Sequence, residues 1–484
     1  MSKIITVLGG FFGDEGKGKQ AATIAKELSN KKLSYFSILA NKKVCGYCVR
    51  INGGPNGGHA IHVDGVKVTG HVLPSTVGYE NVISVIGSGC AIQVRKLAKE
   101  IIDFKNANYF KGPLFIDGEA LIILEAYEKL DGKRNGFKST GSGISDVYCH
   151  ASKRDGIRAR DLLNEENLKE KLNSLLPSLY AEFKAVSTQE EYKEFVEKYS
   201  IEKVLEELNA EEVKKYISTE IKDELIEAAN SDILILAETS QSYFLGLNSG
   251  IELGTSSIID PSWLFTSQKI APRPQKVIAV VKAFGSRVGD SYFVGEFGDR
   301  TKAPRKAELL KYHGLSENVS REEYEPLAIK LMNSSDEQEK GDGFRLYYSE
   351  FGETTGRPRG KAPLDLVALR TLYNQIARGT CNEVELWINH FDGLEHLSEI
   401  PLILNYIGSD GKKYDKIPNW IDKDLRTLKA EIVKMPSWNN CVGEDFNSWP
   451  QEAKDFIKFV EKETNLKIAG VGIGPNNGDI VRIK

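Results

Sequence analysis

The sequence predicts an α/β protein: one large domain over residues 1–484 around a mainly parallel sheet, with a phosphate-loop-like first turn and helical and loop subdomains. Three observations predict it. A short apolar run, Ile4, Ile5, Val7 and Leu8, suits a buried parallel strand and passes straight into a stretch with five glycines in the ten residues 9–18. Further short apolar runs alternate with segments of helical spacing, the pattern of crossover-connected parallel strands. Loops rich in glycine and hydroxyls recur from residue 9 to residue 478, which argues for strand ends converging on one cleft.

The elements follow in order. Strand Lys3–Gly9, loop Gly10–Lys19 and a helix from about Gln20 to Leu28 form the arrangement that aims backbone N–H groups at phosphate. Lys17 and Lys19 add positive charge. Asp14 sets a carboxylate inside an anion site, where it is repelled unless a metal or a proton justifies it. The loop is not a Walker A motif: five residues separate Gly10 from Gly16-Lys17, and Gly18 stands where Ser or Thr is required. Residues 30–50 read as a hairpin or strand. Asn52 to His59, with four glycines and two asparagines, is a tight loop approaching a ligand, and its terminal His59 is placed for proton chemistry.

Val82–Ile86 is a second buried strand, followed by a helix over 92–104, a strand Pro113–Ile116 and a helix near 119–129. Ser139 to Ser145 is a third small-residue loop, fit to hold a phosphate, and Arg154 and Arg158 supply guanidinium groups beyond it. Residues 163–228 form a helical subdomain: Ile201, Val204, Leu205 and Leu208 have helical spacing, as do Val213, Tyr216, Ile217 and Ile221. Asp232–Ala237 and Val277–Phe284 are strands. Residues 300–345 are charged and read as an inserted elaboration outside the core. Glu353 to Gly360 sets two hydroxyls and two arginines around two glycines, a loop for an anion or a carboxylate. A helix over 364–377, a strand Glu383–Ile388 and the loop Gly472–Gly478 complete the pattern.

Composition excludes several classes. Of the residues, 41% are hydrophobic and 27% charged, with a net charge of −4, as in a globular protein with no electrostatic pull toward nucleic acid or membrane. No apolar run reaches membrane-spanning length. The chain enters a strand at once without a signal-peptide pattern, so the expectation is a cytoplasmic protein with its six cysteines reduced. Cys45 and Cys48 form a C-x-x-C without a second pair at zinc spacing, and read as small residues around a strand.

Taken together, the loops resemble those of the adenylosuccinate synthetase family. That family's GDEGKGK, GGxNxGH, TGxGI, TTGRxR and late GP motifs stand here as Gly13–Lys19, Gly53–His59, Thr140–Ile144, Thr354–Arg359 and Gly474-Pro475, in the same order. Gln241, Arg287-Val288-Gly289 and Met435–Trp438 are weaker echoes. The resemblance implies a two-step ligation. The O6 of a 6-oxopurine nucleotide, IMP by default, is phosphorylated by a nucleoside triphosphate, and the amine of aspartate then displaces the phosphate at C6. It further implies Asp14, His59, Lys17 and Gln241 as catalytic residues, and Mg2+ held by Asp14 and the Gly58 carbonyl. Nucleotide and phosphate contacts fall to Gly13, Glu15, Gly16, Gly18, Lys19, Asn56, Thr140, Gly141, Arg154, Thr255, Asn389, Gly474 and Pro475. Amino-acid contacts fall to Thr354, Thr355, Arg357 and Arg359. Arg154 matches an arginine that reaches the neighbouring subunit's substrate, which implies a homodimer. The partners implied are small molecules, with no nucleic acid and no membrane.

The departures from the family pattern carry information. Phe12 replaces a tryptophan, Pro55 a histidine and Ala60 a threonine, and Ser142 and Ser145 replace Arg and Gly. In place of the TKxD guanine-binding motif stand Trp387 and Asn389. A carboxylate accepts from both guanine N1–H and its 2-amino group, whereas an amide offers one acceptor, so an adenine nucleotide is expected as donor. The related phage enzymes, which take dGMP to a 2-amino product, supply the alternative acceptor, with ATP or dATP as donor. A catalytically silent nucleotide-binding relative is the remaining alternative, and the presence of Asp14, Lys17, His59 and Arg357 together argues against it.

Overall fold

The computed structural model describes residues 3–483 apart from 64–65, 135–140, 232, 248–275, 288–293, 353–355, 380, 382, 419–424, 439–444, 475 and 477, and at 3, 59–67 and 378–379 the backbone alone. The chain divides into two compact units. The first comprises residues 1–8, 16–241 and 245–277; the second comprises 9–15, 242–244 and 278–484. The glycine-rich turn after the first strand therefore belongs to the second unit, and the helix after it to the first.

In the first unit the strands lie in the order Ile217–Ser218, Leu114–Asp117, Val82–Ile86, Gly46–Arg50, Leu234–Ser242, Lys3–Gly9. The pairs from Ile217 through Leu234 are all parallel, with Tyr47 opposite Ile83 and Ile235 opposite Tyr47. Gly46–Arg50 and Val82–Ile86 are buried at every position, so neither shows the apolar–polar alternation of a half-exposed strand. One core, around Tyr47, Val49, Ile83, Val85, Ile235 and Leu225, packs one side of these strands. A larger one gathers Ile86, Leu97, Ile116, Leu121, Leu130 and the apolar stripe Leu168, Leu172, Leu175, Leu179 of the helix Glu165–Lys184.

In the second unit Lys276–Lys282, Val384–Asn389, Lys467–Gly472 and Ile480–Arg482 follow one another, the central pair parallel and the last antiparallel. A further sheet runs Phe284–Arg287, Gly360–Asp365, Glu399–Ile407, with Lys429–Pro436 antiparallel to Glu399–Ile407. The α/β class with mainly parallel strands is as expected.

Several elements differ from expectation. The segment 119–129 is not one helix: Leu121–Ile123 is a strand parallel to Ala91–Gln93, and the helix is Glu125–Asp131. The helical spacing of Val213, Tyr216, Ile217 and Ile221 is broken, because Ile217–Ser218 adds an edge strand beside Leu114–Asp117. The strand begun at Leu234 continues through Ser242, past the expected end at Ala237. The expected strand Val277–Phe284 divides at Ala283 into Lys276–Lys282 and Phe284–Arg287. Within 300–345 the helix Glu337–Tyr347 is core, not periphery. It buries Phe344, Leu346 and Tyr347, and Arg345 is buried against Asp342 at 2.6 Å. Paired charges look like surface in a sequence, yet are buried here as a bonded pair.

Candidate active site

The turn after the first strand is braced from within. Glu15, although flanked by Asp14 and Gly16, points inward and is almost fully buried. Its carboxylate accepts from Phe11 N at 3.2 Å, Gly13 N at 2.8 Å and Ser242 Oγ at 2.5 Å. Gly9 leaves room for this brace: a Cβ there would stand 2.2 Å from Ser242 Oγ and 2.3 Å from Glu15 Oε2. Gly10 N donates to Val280 O at 2.7 Å, tying the turn to the strand Lys276–Lys282. Asn389, at the end of Val384–Asn389 and 6% exposed, donates Nδ2 to the Glu15 carbonyl at 2.6 Å. Its Oδ1 faces Gly472, where a Cβ would lie 2.1 Å away. Glu15 and Asn389, both expected among the nucleotide contacts, thus spend these groups on the loop itself.

The brace turns Asp14 outward. Asp14 sits in the left-handed region with φ 58°, between Gly13 at φ 112° and Gly16 at φ 90°, and its side chain is 38% exposed. A non-glycine residue there is strained unless its surroundings over-determine it, a pattern concentrated at functional sites. Arg359 Nη2 lies 2.8 Å from Asp14 Oδ2, and Arg359 Nη1 lies 3.0 Å from Glu350 Oε2. Two of the expected site residues, from loops 345 positions apart, are therefore in contact. Arg357 is exposed, and Gly352 N donates to its carbonyl at 2.8 Å. Arg287 places its guanidinium carbon 4.6 Å from the centre of the Phe12 ring, so the aromatic residue before Gly13 serves as a cation platform.

Sequence reasoning missed the group beneath Arg359. Glu350 is 1% exposed and also accepts from Lys282 Nζ at 2.6 Å, Ser286 Oγ at 2.9 Å and Lys361 Nζ at 3.2 Å. Burial raises its pKa, but Lys282, Lys361 and Arg359 outweigh burial and hold it well below the carboxylate range. Burial pushes Lys361 down to about 8 against the pull of Glu350. These residues are scattered from 282 to 361, and no local motif announces them.

In the first unit the helix Lys17–Ser29 begins on Gly16 without a side-chain cap and without an acidic residue in its first turn. Its first N–H groups are unmatched by the helix, the condition under which an anion binds. Gly16, Gly18 and the partly or fully buried Lys17 and Lys19 stand at this end. The loop Asn52–Gly58 is fixed by Ser240 N donating to Asn52 Oδ1 at 3.0 Å and by Gly57 N donating to Gly54 O at 3.0 Å. His71, also missed, donates from Nδ1 to the Gly57 carbonyl at 2.6 Å. Beside it, the Glu100 carboxylate caps the backbone N–H groups of His71, Val72 and Leu73. Asn56 Oδ1, Ser240 Oγ and Gln241 Oε1 are buried without a hydrogen-bond partner among the described residues. Polar atoms in that condition call for a polar ligand or water. Gly58 is exposed. His59 opens the strand His59–Val63, and its side chain lies outside the described residues.

Gly141 and Gly143 both adopt left-handed φ, 67° and 66°, and Gly143 caps the helix Ile144–Lys153, with its N–H on Asp131 Oδ2 at 3.0 Å. Arg154 ends that helix at φ 73°, exposed. Gly474 approaches Asp479, which accepts from Asn476 N at 2.7 Å. Thr140, Thr255, Thr354, Thr355 and Pro475 lie outside the described residues. No group of three or more His, Cys, Asp or Glu side chains set to hold a metal occurs among the described residues.

Comparison with known proteins decides the family. The family model described as adenylosuccinate synthetase matches residues 6–481. The chain belongs to the adenylosuccinate synthetase family. It is 30% identical to the adenylosuccinate synthetase of Helicobacter hepaticus over 99% of both chains. It is 27% identical to the chloroplastic enzyme of Nicotiana tabacum, over 99% of this chain and 84% of that one. Among solved structures it resembles the fully ligated adenylosuccinate synthetase of Plasmodium falciparum, with a TM-score of 0.70 and 23% identity over all of both chains. It also resembles the succinoaminodeoxyadenylate synthetase of cyanophage S-2L bound to dGMP and dATP, with a TM-score of 0.52 and 12% identity over 100% and 95% of the two chains. Family and fold make the chain a carbon–nitrogen ligase of purine biosynthesis. No helix among the described residues is long and apolar enough to cross a membrane.

Proposed function

We propose that the chain joins L-aspartate to C6 of a 6-oxopurine nucleotide, IMP by default, through a 6-phosphoryl intermediate driven by a nucleoside triphosphate. The observation that carries this reading is Asp14, outward in a strained turn and held by Arg359. In the first step a carboxylate takes the N1 proton, O6 attacks the γ-phosphorus, and the nucleoside diphosphate leaves. Asp14 is the base. The capless start of the helix Lys17–Ser29, with Lys17 and Lys19, offers N–H groups and positive charge to the phosphates. His59 stabilises the oxygen being phosphorylated. In the second step the aspartate amine attacks C6, phosphate departs and the amine loses its proton. Arg357 and Arg359, with Thr354 and Thr355, orient the aspartate carboxylates. Asn56, Thr140 and Gln241 hold the acceptor nucleotide, and Arg154 does so from the second subunit of a homodimer.

Mg2+ fits this donor set. The ion commonly takes one or two carboxylates and completes its shell with water and substrate phosphates, and Asp14 offers a solvent-reachable carboxylate of that kind. Asp14 and the Gly58 carbonyl would hold it, and it would supply charge neutralisation on the phosphates.

A second reading concerns the nucleotides. Asn389 stands where the family's guanine-binding carboxylate is expected and commits its N–H to the Glu15 carbonyl, so that position holds no carboxylate to accept from both guanine N1–H and its 2-amino group. This favours ATP or dATP over GTP as donor; dGMP, giving 2-aminoadenylosuccinate, is the alternative acceptor. Incubation with IMP or dGMP, each with ATP, dATP or GTP and aspartate, followed by product mass, tests both readings. No succinyl adduct with any acceptor would overturn the ligase reading; a clear GTP preference would overturn the donor reading.

A further inference from the structure

Glu350 gathers three cations, Lys282, Lys361 and Arg359, on one carboxylate. The desolvation of a buried carboxylate is repaid only when well-placed partners and further hydrogen bonds satisfy it; this one has three cations and the Ser286 hydroxyl. The second nitrogen of Arg359 binds Asp14. Arg359 is also fixed at its main chain: its N–H donates to Glu350 O at 3.1 Å, and its carbonyl accepts from Arg345 Nε at 2.7 Å. The planar guanidinium is thus held at one edge by Glu350 and presents the other edge to Asp14. Glu350 is 1% exposed, so an effect it has on the reaction passes through the groups it holds, and of these Arg359 is the one that also contacts Asp14.

We propose that Glu350 is a positioning residue, which aims the guanidinium of Arg359 at Asp14 and at the anionic substrate group that takes its place there. The proposal rests on the reading of Arg359 as an amino-acid carboxylate binder. A planar fork pre-oriented at one edge loses less freedom when the other edge takes a carboxylate. Without Glu350 the guanidinium keeps its charge and loses its direction.

The test is a mutant cycle in the full chain, read by steady-state kinetics and thermal melting. Glu350→Gln is made in a Lys361→Met background, so that a cation is withdrawn along with the carboxylate. Relative to Lys361→Met alone, the aspartate KM is expected to rise about tenfold or more, with the nucleotide KM changed by less than about threefold. In an Arg359→Lys background the same change is expected to add less than about twofold, since the fork it aims is already gone. A purely structural role would instead lower Tm and affect all substrates alike. Glu350→Asp, which keeps the charge and shortens the reach by a methylene, is the second variant should the first not fold; it too is expected to raise the aspartate KM selectively. An unchanged aspartate KM, or an effect that multiplies fully with Arg359→Lys, overturns the proposal. If Arg359→Lys itself leaves the aspartate KM untouched, the reading of Arg359 fails instead, and the two failures are distinct.

Discussion

Asn389→Asp restores the carboxylate that the family motif carries, and a reading from sequence alone expects it to make the enzyme accept GTP. The structure predicts damage instead. Asn389 Nδ2 donates to the Glu15 carbonyl at 2.6 Å in a place that is 6% exposed. An ionised aspartate sets an acceptor against that acceptor and leaves the carbonyl without its donor. Losing a buried partner costs about 1–3 kcal/mol, more when the group brought in is charged. For a unit of roughly 150–250 residues, each kcal/mol lowers Tm by about 2–4 °C. A Tm drop of several degrees at pH 8 is therefore expected. It should be smaller at pH 5, where a protonated aspartate can donate as the amide does. Because Glu15 also anchors Phe11 and Gly13, displacing it loosens the turn that carries Asp14, and kcat/KM should fall with ATP and GTP alike. Differential scanning fluorimetry at both pH values and initial rates with each donor read the outcome. An unchanged Tm together with GTP turnover above the parent's ATP turnover would refute the reasoning and return Asn389 to the base.

Three further outcomes are expected. Gly9→Ala puts a methyl within 2.2–2.3 Å of Ser242 Oγ and Glu15 Oε2; it should destabilise by about 1–3 kcal/mol and lower activity through the displaced brace, and an unaltered melting curve with full activity would contradict it. Asp14→Ala should cost roughly two to four orders of magnitude in kcat, with circular dichroism unchanged, and near-parental kcat would remove Asp14 from the role of base. Glu207, 4% exposed, has its pKa raised to about 7, mainly by burial, while accepting from Glu125 N at 2.8 Å. A carboxylate raised on folding stabilises below its unfolded pKa and loses that contribution as pH rises through about 4.5 to 7, so Glu207→Gln, which still accepts the bond, should melt higher than the parent at pH 8, by at most about 3 kcal/mol, and no higher near pH 4; equal melting at both pH values would rule this out.

The elements legible in the sequence are those whose burial is complete and local. Lys3–Gly9 and Val82–Ile86 have the expected bounds because each is a nearly continuous apolar run, broken inside by Thr6 or Ser84, that ends at glycine. Ile217–Ser218 was not legible, since two residues carry no periodicity and their pairing with Ile116 and Asp117 is set a hundred positions away. The helix Glu337–Tyr347 reads as surface for a different reason. Its charges are buried as a pair, and a sequence shows the charge without the partner.

The same limit explains what was and was not visible of the site. Asp14, Glu15, Lys17 and Lys19 stand together in one motif, and charge alone marks them all as anion-site residues. The fold sorts them by direction. Glu15 turns in and ties Phe11, Gly13 and Ser242 together, and that inward bracing is what permits Asp14 its outward, left-handed position. A polar residue that supports a loop and one that faces a ligand differ by which side of the backbone they leave, and that depends on distant groups, Asn389 for one and Arg359 for the other. Glu350 extends the point: it is joined to Asp14 through Arg359, so its place in the chemistry comes from the cations around it and not from its neighbours in the chain.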